Sequence, residues 1–329
     1  MMTFIFRRLI VMIPTVIVIS IFSFVLIKLP PGDFLTSYVA SLEASGEKVN
    51  EATLAAMEQR YGLNQPGYVQ YLRWVKGILL RGDFGQSFEL NAPVSSLIWG
   101  RLGLTLAISI TTLLFTWIVA FPIGIYSAVR KYSMGDYAFT LLGFIGLAIP
   151  NFLLALILMY ISFKYFNQSV SGLFSPEYIE APWSWGKAWD LMKHMWVPIV
   201  IVGTAGTAGL IRVMRANLLD ELSKPYVDTA RAKGMAEWRL ILKYPVRVAL
   251  NPFISTVGWT LPLLISGSAI VAIVLNLPTS GPLLLRALMT QDMFLAGSFI
   301  LMLAILTIIG TLISDILLAL LDPRIRYGK

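Results

Sequence analysis

Few residues in this chain could do covalent or metal chemistry, and their types set the first limits. The 329 residues include no cysteine and a single histidine, His194. Disulfides, thiolate metal sites and multi-histidine metal sites are therefore excluded. A nucleotide-hydrolysing loop needs a glycine-rich turn followed by Lys and Ser or Thr. The nearest match, Gly186-Lys187-Ala188, lacks both the upstream glycine and the hydroxyl. No carboxylate pair stands where intramembrane proteolysis would need one, and His194 reads as a surface or hydrogen-bonded histidine. The stretch densest in functional groups is 216–248. It carries Asp228, Arg231, Lys233, Arg239 and Lys243 between Ala230, Met235, Trp238 and Leu242. Glycine costs about 1 kcal/mol inside a helix, so two short helical runs are expected to flank a turn at Gly234. Such a face fits two readings: a basic amphipathic helix on anionic lipid, or a docking element for another protein.

The elements that position this loop follow from hydropathy. The chain is 57% hydrophobic and 13% charged, whereas a soluble domain carries about 25% charged residues. So much apolar surface needs lipid as its solvent. A helix needs about 20 mostly apolar residues to cross the hydrocarbon. Six stretches qualify: 9–29, 102–129, 137–163, 196–212 (extending to about 217), 249–275 and 294–321. The expected fold is all-α and membrane-integral. The first stretch follows Arg7 and Arg8 as a signal peptide would, but its apolar run exceeds a signal's 7–15 residues and no small-x-small site follows; a retained helix is expected.

Basic residues orient the chain. With the N-terminus cytoplasmic, the inside segments hold 15 of the 26 Lys and Arg residues and 7 of the 18 Asp and Glu residues, which puts the whole +8 net charge on that side. The positive-inside rule therefore explains the basicity without nucleic acid. Both termini are expected in the cytoplasm. The resulting segments are 1–29 (the N-terminal segment and first span), an external domain at 30–100, a five-helix core at 101–321 that includes the cytoplasmic loop 216–248, and a tail at 322–329. In the external domain, Tyr68, Tyr71, Leu72, Val75, Ile78 and Leu79 recur at helical spacing, as expected for a helix packing on the rest of the protein. A second external loop, about 164–195, carries Trp183, Trp185 and Trp189, with Trp196 just beyond it; these suit an interfacial aromatic belt.

Within the spans, charge is nearly absent, which weighs against proton-coupled transport. Pro14, Pro122, Pro150, Pro198, Pro252 and Pro262 each remove a backbone donor and are expected to bend their helices. Gly203, Gly206 and Gly209 form a small-residue stripe against which another helix can pack closely.

The segment Tyr226-Val-Asp-Thr-Ala-Arg-Ala-Lys-Gly234 resembles the EAA motif of binding-protein-dependent importers, Glu-Ala-Ala-x-x-x-Gly. Asp228 stands for the Glu, Thr229 and Ala230 for the two alanines, and Gly234 for the glycine. The spelling is similar to that of the oligopeptide, dipeptide and nickel permeases. Arg7-Arg8-Leu9 with Pro14, Leu63-Asn-Gln-Pro-Gly, Gly82-Asp-Phe-Gly-Gln-Ser, Leu264-Ile-Ser-Gly and Leu321-Asp-Pro-Arg324 extend the resemblance over most of the chain. At 272–281, Ala-Ile-Val-Leu-Asn-Leu-Pro-Thr-Ser-Gly replaces the Glu, Phe and Pro-Gly-x-Gly of many peptide permeases, so an oligosaccharide or other small solute stays open beside peptides.

The resemblance implies a permease subunit working by alternating access. It further implies a second, homologous permease, two ATPase subunits that bind the ATP and Mg, and an extracytoplasmic solute-binding protein. No cofactor is expected in this chain. The loop around Gly234 would be a coupling helix seated on an ATPase. Asp228 would set its hydrogen bonding, Gly234 its turn and Ala230 its close packing, with Arg231 and Lys233 facing the ATPase. A secondary transporter, a channel and a membrane enzyme are the rivals. The first lacks a visible coupling-ion site, the second leaves the Gly234 loop unexplained, and the third lacks a catalytic constellation.

Overall fold

A computed structural model describes residues 2–28, 39, 65–87, 89–166, 170–255, 257 and 269–321. Among the described residues the secondary structure is helical apart from one two-stranded antiparallel ribbon, β1 (Gln86–Ser87) with β2 (Ala92–Pro93). The long helices are α1 (Met2–Lys28), α3 (Val94–Val129), α6 (Trp185–Leu222) and α12 (Met293–Leu321). Each is long and apolar enough to cross a membrane; α4 (Met134–Ala148) and α5 (Asn151–Phe166) add a fifth crossing if their bent pair counts as one. The middle of the expected span at 249–275, residues 258–268, lies outside the described residues. Between α1 and α3 lies α2 (Gly67–Arg81). Between α6 and α12 lie α7 (Pro225–Ala232), α8 (Glu237–Lys243), α9 (Pro245–Ala249), α10 (Ala269–Val274) and α11 (Ser280–Met289).

Two compact units emerge. One comprises Met1–Ile5, Leu104–Pro278 and Thr307–Lys329; the other comprises Phe6–Gly103 and Thr279–Leu306.

The first unit is built around α6. Small residues let its neighbours come close. A Cβ added at Gly203 would lie 2.8 Å from the Phe115 ring, and one at Gly124 would lie 2.6 Å from Met214 Cβ. The glycine stripe is therefore filled, at Gly203, by α3 of the same chain; Gly209 has nothing within 4 Å of where its Cβ would stand. On another side α4 runs antiparallel to α6. Gly143 faces Ala208, and a Cβ at Gly146 would come within 2.8 Å of Thr204 Cγ2. Overpacking a close contact costs about 1–3 kcal/mol. Gly203→Leu should accordingly lower the thermal midpoint of the detergent-purified chain and reduce its monodisperse fraction. An unchanged midpoint would mean that α3 and α6 do not meet there.

The prolines behave unequally. Pro14, Pro122 and Pro198 lie inside helices that continue through them. Pro150 coincides with a true break, where α4 and α5 meet at 99°. The residue before a proline is driven out of the helical region; Ile149 is extended, at φ −83° and ψ 119°. Pro252 lies in the short helical run 251–255, and Pro262 lies outside the described residues.

The fourth span also begins earlier than hydropathy suggested. Ser184 caps α6 by accepting a hydrogen bond from the Lys187 amide at 3.2 Å. Trp185, Trp189 and Trp196 therefore ride on the first turns of a helix, and only Trp183 of that group precedes it.

In the second unit, α2 packs on α1. The Ser20 and Tyr71 hydroxyls are 2.7 Å apart, and the Phe24 ring meets those of Tyr71 and Trp74. The buried face of α2 carries Gln70 and Trp74, while Tyr68, Leu72 and Leu79 of the expected stripe are exposed. Asp292, fully buried, accepts from Ser87 Oγ at 2.5 Å and caps the start of α12 by accepting from the Leu295 amide at 3.2 Å. Nearby, Arg286 donates to Glu89 at 2.6 Å. These bonds pin the ribbon to the turn between α11 and α12.

Candidate functional site

Two short helices, α7 and α8, flank Gly234, while residues 216–222 of the expected loop continue α6 and 245–248 belong to α9. Pro225 opens α7 at the position where its missing N–H is harmless. Thr229 Oγ1 donates back to the Pro225 carbonyl at 2.9 Å. The helix ends at Lys233, and Gly234 follows with φ +74°. That left-handed conformation is the one glycine adopts without steric cost. It lets the Gly234 amide donate to the Arg231 carbonyl at 2.9 Å and the Met235 amide reach the Ala230 carbonyl at 3.4 Å. The chain then turns into α8.

One face of this turn is welded to the core. Val227 and Leu240 are fully buried and Ile241 nearly so; with Ala230 and Met235 they pack into a cluster that includes Met214 and Leu218 of α6, Ala128 of α3 and Phe253. The other face is bare. Residues 231–234 and 236–239 are all exposed, and Trp238 stays 62% exposed under the Arg239 guanidinium, 5.0 Å from its ring. A rigid, core-anchored turn with an exposed aromatic and basic surface can transmit force from anything that grips it.

Arg231 is tied to two acids of the same loop. Its guanidinium clasps Glu237 at 2.7 Å and also donates to Asp228 at 3.2 Å. It thereby ties α7 to the start of α8 across the Gly234 turn. Asp228, itself exposed, accepts within the loop from this arginine. Ala230 is half-buried against the cluster, and Lys233 is exposed. Glu237 was missed by the sequence reading; its one signal is an acid in the first turn of a helix following a glycine turn.

The Arg231 guanidinium holds the Glu237 carboxyl below its ordinary value, and Glu237 in turn raises Arg231. A carboxyl with a lowered folded-state pKa contributes order that is present above its ordinary value and lost as pH falls through the lowered one. The chain has no cysteine, so a spin label at Lys233→Cys would be unique. Its mobility should stay constant from neutral pH down to about pH 5 and rise only in stronger acid. Glu237→Gln should raise it at neutral pH. Equal mobility in the two proteins would remove the clasp from the account.

A second polar constellation lies where α4 meets α6. Asp136 is 2% exposed and receives two parallel bonds from Arg215, at 2.9 and 2.8 Å, plus the Tyr132 amide at 2.9 Å. Fork-to-fork pairing of this kind fixes geometry as well as charge. Tyr132 itself has φ +64°, so the turn preceding α4 is held by the same carboxylate. The sequence reading counted both residues among the inside charges without joining them.

Long apolar helices, close-packed through small residues and carrying an exposed loop anchored in their core, define a multi-pass integral membrane protein. Residues 120–327 match the family described as binding-protein-dependent transport system inner membrane component, and residues 1–109 match the N-terminal region described for such components. The chain belongs to this family and is a transport permease subunit of an ABC importer, not an enzyme. It is 38% identical over 329 residues to the oligopeptide transport system permease protein AppB of Bacillus subtilis, covering 99% of this chain and 100% of that one. The dipeptide transport system permease protein DppB of Alkalihalophilus pseudofirmus is 30% identical over 341 residues, with 99% and 100% covered. Among solved structures, a chain of the MetNI methionine ABC transporter in inward facing conformations superposes with a TM-score of 0.50 at 16% identity, covering 69% of this chain and 96% of that one. At that identity the likeness is one of fold.

Proposed function

We propose that this chain is one of two homologous permease halves through which an ATP-driven importer carries peptides into the cytoplasm. An external binding protein hands the solute over, and two ATPase subunits supply the drive. The observation that carries the reading is the Gly234 turn, bare on one side and buried on the other, in a chain similar along its whole length to permeases named for oligopeptide and dipeptide transport. ATP can bias an outward–inward equilibrium only by binding one state more tightly. A docked turn packed against Met214 and Leu218 of α6 gives that bias a mechanical route, and rigid-body rocking of packed helices would open the path alternately to each side.

In this reading the chain crosses six times with both termini inside. Segment 30–100 is the external domain that meets the binding protein, residues 101–321 form the permease core, and 322–329 is a cytoplasmic tail. The loop 216–248 is cytoplasmic. Asp228, Thr229, Ala230 and Gly234 shape its coupling helix, while Lys233 and the exposed edge of Arg231 meet the ATPase.

The test is uptake and ATP hydrolysis in proteoliposomes carrying the complete complex, with its binding protein loaded by a small oligopeptide or by an oligosaccharide. Peptide-dependent hydrolysis with accumulation is expected. Stimulation by the sugar alone would keep the mechanism and reassign the substrate. Accumulation without the ATPase subunits would overturn both.

A further inference from the structure

A groove of about 270 Å³ runs along the α4–α6 seam. Its mouth is polar, formed by Tyr132 and Arg212, and its walls are apolar, including Phe139, Phe144, Leu147 and Ile211. Arg215 also borders it but is committed to Asp136. Arg212 is exposed, and among the described residues it makes no ion pair. The turn leading into α4 adds two more exposed cations, Arg130 and Lys131, equally without an acidic partner among the described residues.

We infer that this groove is a binding site for one anionic phospholipid of the cytoplasmic leaflet. Its phosphate would sit at Arg212 and the Tyr132 end of the seam, with an acyl chain lying against Phe144 and Leu147. The inference rests on the orientation proposed above.

Three observations carry it. The first is charge: the mouth gathers cations and the one acid beside it, Asp136, is already neutralised by Arg215. The inner leaflet is the anionic one, and basic pockets between spans on that side attract acidic headgroups. The second is length. From Asp136 to Leu147 the helix rises about 16 Å at 1.5 Å per residue, close to one leaflet of a hydrocarbon core about 30 Å thick. The third is exposure: Phe144 and Leu147 are 55% and 42% exposed, so the walls offer apolar surface to an acyl chain rather than to the interior of this chain.

The competing occupant of such a seam is the second permease subunit, and the experiment separates the two. The purified full-length chain, in detergent, is titrated with phosphatidylglycerol or with phosphatidylcholine of matched acyl chains, and retained lipid is counted by native mass spectrometry. One phosphatidylglycerol should be retained about fivefold more tightly than phosphatidylcholine, the scale of one basic residue's attraction for an acidic headgroup. Arg212→Gln should erase that preference and Arg212→Lys should restore most of it. Arg73→Gln, which alters an exposed arginine on α2, should leave it intact. Equal retention of the two lipids, or an unchanged preference in Arg212→Gln, would overturn the proposal. So would stoichiometric release of the lipid when the second permease subunit binds, because the groove would then be the seam between subunits. Lipid retention is read without transport, so its failure is distinct from a failure of the transport reading.

Discussion

Replacing Gly234 by Asp should abolish uptake while the protein remains in the membrane at its normal abundance. The reason lies in what surrounds this glycine. Its φ of +74° strains any other residue, but nothing stands within 4 Å of where a Cβ would be. The cost to folding is therefore backbone strain alone, about 1–2 kcal/mol, and aspartate is among the residues that tolerate that conformation best. The buried anchors Val227, Leu240 and Ile241 are untouched. What changes is the exposed face, where a carboxylate appears beside Lys233 and in the middle of the surface proposed to meet the ATPase. Burying an unpaired charge at a docking surface costs several kcal/mol, and each 1.4 kcal/mol is about tenfold in affinity. Gly234→Asn, equally strained but neutral, should retain measurable uptake. Immunoblots of membrane fractions beside solute uptake give the comparison. Normal uptake by the Asp variant would remove the docking role from this loop.

Asp136→Ala should be the most destabilising single change at the α4–α6 seam. The carboxylate is buried and bound by the two guanidinium bonds and the Tyr132 amide. Removing one partner of a buried pair leaves the other charge uncompensated, a loss of about 3–5 kcal/mol. The lower end applies here, because the Arg215 side chain is 28% exposed and can recover some hydration. Arg215→Met combined with Asp136→Leu should recover much of the loss, since an apolar pair of similar volume is often as stable as the ions it replaces. Thermal midpoints of the detergent-purified variants decide it. If the double variant is as unstable as Asp136→Ala, the pair is not the interaction that matters.

The features legible in the sequence were those with a local cause. Hydropathy located the four long helices and the bent pair, because twenty apolar residues in a row have few other uses. The Gly234 turn was legible because the helical pattern on either side leaves the glycine as the natural break. The clasp by Glu237 was not legible, although it lies only six residues from Arg231: exposed charges at that spacing pair only when a turn folds one helix back on the next. The Asp136–Arg215 bond links residues 79 positions apart, and Asp292 bonds Ser87 across 205. Nothing local distinguishes such partners from other charged or polar residues near helix ends. The unequal behaviour of the prolines has a similar origin. Each supplies the same local insult, and tertiary packing decides whether the helix carries through, as at Pro122 and Pro198, or breaks, as at Pro150.

The corner at Pro150 sets two helical arms at an angle to one another. Pro150 has no N–H with which to continue the hydrogen-bond ladder of α4 to the Gly146 carbonyl. Two arms of 15 and 16 residues meeting at 99° cannot both follow the bilayer normal. The first arm is keyed to α6 by Asp136, Gly143 and Gly146, and the second packs through Ala155 into a cluster that holds Val271 and Ala272 together with Met195, Val197 and Ile199 of α6. α6 therefore touches both arms, and the corner is braced on both sides by a single helix.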